Sequence, residues 1–88
     1  MILEMTEDRI KVTGHANNNL KNSKSVCAMV SCIVQTYELQ FGEEFYIRNE
    51  EEESSELINN GSDSFQFVKC FFNDMIVNEE TKGHFEVK

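Results

Sequence analysis

Eighty-eight residues with sixteen acidic and eight basic side chains, a net charge of −8 at pH 7, leave room for one small domain over residues 1–88. Ile, Leu, Val and Phe supply 24 of the 88, more than the roughly 20% below which charged chains stay disordered, so a packed core is expected. The acidic balance argues against nucleic-acid binding, which draws its affinity from Lys and Arg on phosphates, and against anionic membrane surfaces.

Ile2 to Met5 predicts a short strand, and Thr6-Glu7-Asp8-Arg9 a polar turn. Ile10-Lys11-Val12-Thr13 alternates apolar and polar, the period of a half-buried strand, and Gly14 closes it. Ala16 to Lys24, with four asparagines, predicts a mobile surface loop. Val26, Val30, Ile33, Val34 and Tyr37 then recur on one face of a 3.6-residue period. They predict a helix capped by Ser23 or Ser25 and ended by Gly42. Its β-branched residues have mediocre helix propensity, so burial must hold it.

Phe45-Tyr46-Ile47-Arg48 predicts a third strand, and Glu50 to Glu53 a solvated acidic turn. Ser55-Glu56-Leu57-Ile58 is a fourth strand, followed by the turn Asn59-Asn60-Gly61. Ser62 or Asp63 caps a second helix running to about Glu80. Its Phe65, Val68, Phe71, Phe72, Met75 and Ile76 cover a broad face that is packed in the core, or partly against a second subunit. His84-Phe85-Glu86-Val87 alternates again as a closing strand. The order ββαββαβ is that of an α+β domain, a mostly antiparallel sheet packed with two helices on one face or both. A chain this short buries only ~60% of its unfolded surface, so dimerisation would add stability.

Cys27, Cys32 and Cys70 include no C-x-x-C pair, which argues against a disulfide framework and a four-ligand zinc site. Cys27, His15 and His84 lack metal-ligand spacing, and neither metal nor cofactor is expected. No apolar run approaches ~20 residues, and Met1-Ile2-Leu3-Glu4-Met5 lacks the basic start of a secretory signal. The expectation is a soluble, cytoplasmic protein with free thiols.

Chemistry is suggested at Gly14-His15-Ala16, with Cys27 twelve residues beyond the histidine. A thiol attacks as thiolate, and a free one has a pKa of about 8.5. Cys27 is expected in the first turn of the first helix, where unpaired N–H groups and the dipole favour an anion. His15 could take the thiol proton and later hand it to a leaving amine. Backbone N–H groups around Cys27 could receive the oxyanion.

Strict alternation sets Lys11, Thr13 and His15 on the strand face opposite Ile10 and Val12. His15 therefore reaches the helix only if Gly14 permits a bulge or sharp exit. Cys27 lies about 100° from Val26 around the helix, at the border of the apolar face, which suits a thiol in a groove. The bland reading of the same residues is a packed cysteine and an unrelated histidine. Ser31, one turn after Cys27, lines the site or bonds back to a carbonyl. Cys32 reads as incidental, Cys70 as packing, and His84 as lacking a partner at motif spacing.

These residues resemble the ribosomal-processing cysteine proteases of bacteria. That family carries a Gly-His-Ala strand end, a flexible loop, then Asp-Ile-Val-Cys-Ala and a helix with Ser four residues after the Cys. Gly14-His15-Ala16 and the run from Val26-Cys27-Ala28 through Ser31 to Thr36 match, a likeness spanning residues 14–36. The resemblance implies an endopeptidase with Cys27 as nucleophile and His15 as general base, supported by Gly14, Ala28 and Ser31, and it implies a homodimer. The implied substrate is the N-terminal extension of large-subunit ribosomal protein number twenty-seven, cut after an apolar, phenylalanine-containing stretch. The loop carrying Asn17, Asn18, Asn19 and Lys24 would close over that extended peptide. Lys24 stands where the family has Asp, Ser25 where it has Ile, and the loop lacks the family's glycine. Either this copy is degenerate and binds a peptide or another partner without cutting, or the Lys24 cation favours the thiolate in another way.

Overall fold

Alternation along the second strand decides which way the sheet faces. In a computed structural model describing Met1–Lys88, Ile10 and Val12 are buried, and Lys11 and Thr13 lie on the other side. The elements are β1 (Ile2–Met5), β2 (Arg9–Thr13), α1 (Ser23–Phe41), β3 (Tyr46–Asn49), β4 (Ser54–Ile58), α2 (Asp63–Val77) and β5 (Glu86–Val87). The order is ββαββαβ, an α+β fold with one five-stranded sheet ordered β3-β4-β2-β1-β5. All neighbours are antiparallel except the short β1–β5 pair. No helix is long and apolar enough to cross a membrane.

Both helices cover the same face. Register sets Leu3 opposite Val12 and Ile10 opposite Leu57, and these four join Val26, Val30, Val34 and Tyr37 of α1 and Phe65, Val68, Phe72 and Met75 of α2 in one buried cluster. The other face carries Glu4, Lys11 and Glu56 in register, a charged surface that water can solvate. Tyr37 binds the layers together. Its ring meets Phe65 edge-on with centroids 6.4 Å apart, and its hydroxyl donates to the Ile58 carbonyl at 2.6 Å. Burial pushes this phenol above its ordinary value of 10.0, partly offset by the Asn60 backbone.

Several boundaries differ from expectation. The N-cap of α1 is Asn22, in the left-handed region at φ 66°, and neither Ser23 nor Ser25 caps the helix because Ser23 is already helical. Lys24 is thereby helical instead of in the loop. Phe45 sits in a 3-10 turn (Glu43–Phe45) ahead of β3. Helix α2 stops at Val77 and not near Glu80, because Asn78 turns extended and its side chain accepts the Glu80 N–H at 2.8 Å. His84 belongs to a second 3-10 turn, Lys82–His84, which leaves β5 two residues long.

Candidate active site

The β2–β4 register runs out at Thr13 opposite Ser54, and the Gly14 N–H carries it one step further by donating to the Glu53 carbonyl at 3.0 Å. Gly14 has φ +83°, a conformation that costs an L side chain roughly 1–2 kcal/mol and glycine almost nothing. That bend is the sharp exit His15 requires. Instead of continuing onto the charged face, His15 lines a groove between α1 and the helix-covered face of the sheet.

The groove has a volume of about 280 Å³. Cys27, Val30, Ser31, Val34 and Gln35 form its helix wall, at the i, i+3, i+4, i+7, i+8 spacing of one helix face. Val12, Tyr46, Arg48 and Ser55 form its sheet wall, and Gly14, His15 and Glu53 stand at one end. Cys27 and His15 are therefore in the same depression, with Ser31 and Gly14 beside them. Ala28 faces solvent and does not line it.

Glu53 was hidden in the acidic run. The turn of residues 50–53 is solvated as expected, but Glu53 adopts φ +54°, and its Oε2 comes within 3.2 Å of His15 Nε2. Two other carboxylates of the run have partners of their own: Glu52 meets Lys11 Nζ at 3.1 Å and Glu50 meets Arg48 Nε at 3.5 Å. A carboxylate beside Nε2 favours the tautomer with the ring proton there, which leaves the Nδ1 lone pair to accept a proton. The only signal in the sequence that could have found Glu53 is the strand pairing, since Thr13 opposite Ser54 makes Gly14 and Glu53 neighbours.

Cys27 is the fifth residue of α1 and opens its second turn, not its first as expected. The Val26 N–H is already donated to the Asn22 carbonyl at 2.9 Å, so the free amides lie at residues 23–25. The half-buried Cys27 contacts the core. His15 is 71% exposed through its side chain, and no hydrogen bond joins it to the Cys27 sulfur.

The loop does not cover the groove. Asn17, Asn18, Asn19 and Lys24 are exposed and absent from its lining. His84, without a partner at motif spacing, is buried beneath that loop and bonded to its backbone. Cys70, expected to pack, is exposed, as is Cys32. No three His, Cys, Asp or Glu side chains are grouped to hold a metal ion. The chain matches no family model, no curated protein and no solved structure.

Proposed function

We propose that this chain is a thiol endopeptidase in which Cys27 attacks and His15 shuttles the proton. The observation that carries the reading is that these two side chains, separated by a loop in sequence, line one groove of the folded chain, with Glu53 placed to orient the imidazole. In the proposed reaction Nδ1 of His15 takes the thiol proton, and the sulfur bonds to the scissile carbonyl carbon. The proton passes to the departing amine as the C–N bond breaks. Water then hydrolyses the thioester, regenerates the thiol and releases the new carboxyl end.

The likeness at residues 14–36 to the ribosomal-processing cysteine proteases extends the proposal to its substrate, the apolar extension of the ribosomal-protein precursor. The buried Val12, Val30 and Val34 in the groove's two walls suit an apolar stretch of peptide. A cytoplasmic homodimer belongs to the same reading, and the exposed Phe67 on α2 offers apolar surface for it.

A second reading is a degenerate member that binds peptide without cutting. It is favoured by His15 turning to Glu53 with no bond to sulfur, and by Lys24 where the family has Asp. Incubation of the chain with the precursor peptide, read by mass spectrometry, separates the two. One defined cut, lost in both Cys27→Ala and His15→Ala with circular dichroism unchanged, supports the peptidase. Saturable binding with the peptide left intact supports the second reading and overturns the first.

A further inference from the structure

We infer that His84 is a positioning residue for the groove: its ring ties down both ends of the loop that joins His15 to Cys27. The inference rests on the peptidase reading only for its catalytic consequence. His84 is 2% exposed. Its Nδ1 lies 3.0 Å from the Asn17 amide nitrogen, and an amide N–H can only donate, so Nδ1 carries the lone pair. The ring proton must then sit on Nε2, which donates to the Lys21 carbonyl at 2.8 Å. Both nitrogens are engaged, each with backbone, in a single neutral tautomer.

The placement of the two bonds gives them their effect. Asn17 is two residues after His15, and Lys21 is two residues before Ser23, where α1 begins. The segment between them folds on itself, with Leu20 N–H donating to the Asn17 carbonyl at 3.1 Å and Asn19 N–H to the Asn17 side chain at 2.9 Å. Leu20 also packs on the turn that carries His84, since a Cβ built on Gly83 would stand 3.0 Å from its Cδ1. That turn is itself fixed to α2. The His84 N–H donates to the Thr81 carbonyl at 3.0 Å, and the Thr81 hydroxyl donates to the Met75 carbonyl at 2.6 Å. A rigid path thus runs from the end of α2, through His84, to the two segments that present the thiol and the imidazole. His84 lines no part of the groove and acts only through this loop.

The test compares wild type, His84→Leu, which removes both bonds, and His84→Gln, whose amide can still donate where Nε2 stands. Amide hydrogen exchange of Asn17 and the alkylation rate of Cys27 relative to Cys70 are measured, with peptide kcat and KM as a third reading. Asn17 is expected to exchange at least tenfold faster in His84→Leu while Val30 in α1 keeps its protection. The Cys27-to-Cys70 alkylation ratio is expected to change at least threefold, and kcat to fall about tenfold, as displaced reacting groups require. His84→Gln should lie between the two and decides the matter if His84→Leu does not fold. Unchanged Asn17 exchange overturns the inference, and so does faster exchange with the alkylation ratio at its wild-type value. If wild type cuts no peptide, the peptidase reading falls alone, because exchange and alkylation report on the loop without substrate.

Discussion

Replacing Glu53 by glutamine keeps the side chain's shape and removes the charge 3.2 Å from the His15 ring. Both groups are more than half exposed, so solvent screens the pair and it adds little to stability. Glu53→Gln is therefore expected to leave the denaturant midpoint unchanged, and to lower kcat for the precursor peptide about tenfold with KM nearly constant, as loss of an orienting partner requires. Gly14→Ala should behave differently. A Cβ there meets nothing within 4 Å, so its cost is conformational, about 1–2 kcal/mol in urea unfolding. Relief of the bend would move His15 out of the groove and abolish cleavage. A Gly14→Ala variant as stable and as active as wild type would show that the bend does not place the histidine.

At the scale of elements, the parts legible in the sequence are those with a local period. Alternation in β2 and the 3.6-residue stripe of α1 come from residues whose neighbours in space are also neighbours in sequence. The acidic turn and the loop after His15 were legible as irregular and polar, but their partners were not. Glu53 finds His15 through the β2–β4 register, and Asn17 finds His84 across 67 residues; no local pattern encodes such a contact. The turn at 50–53 also makes a pH prediction. The Lys11 ammonium, by hydrogen bond and charge, holds the Glu52 carboxyl below its ordinary 4.5, and Glu52 likewise holds Lys11 above 10.5. For the carboxyl, the contribution to stability is present above 4.5 and is lost as pH falls through the depressed folded value. For the amine it is present below 10.5 and lost as pH rises through the raised one. Lys11→Met should thus lose less stability than wild type on acidification below pH 4.5, measured as the shift of the urea midpoint. Equal acid sensitivity of the two proteins would remove this pair from the account.

Over the whole molecule, the charged outer face of the sheet and the two helices on its inner face leave one groove where a strand exit, a helix wall and an acidic turn converge. The fold class followed from the order of the elements, whereas the site needed the register between them. The central claim is that convergence makes one of three thiols reactive. The chain contains its own controls, since Cys32 and Cys70 are exposed and Cys27 is half-buried. Exposure alone would make Cys27 the slowest to modify, while assistance by His15 would make it the fastest. The decisive measurement is the rate of alkylation at each cysteine by limiting iodoacetamide at neutral pH, read by peptide mass spectrometry in wild type and His15→Ala. Cys27 is expected to react at least tenfold faster than Cys32 and Cys70 in wild type, and no faster than they do in His15→Ala. Modification of Cys27 more slowly than the two exposed thiols, with no change on removing His15, would contradict it.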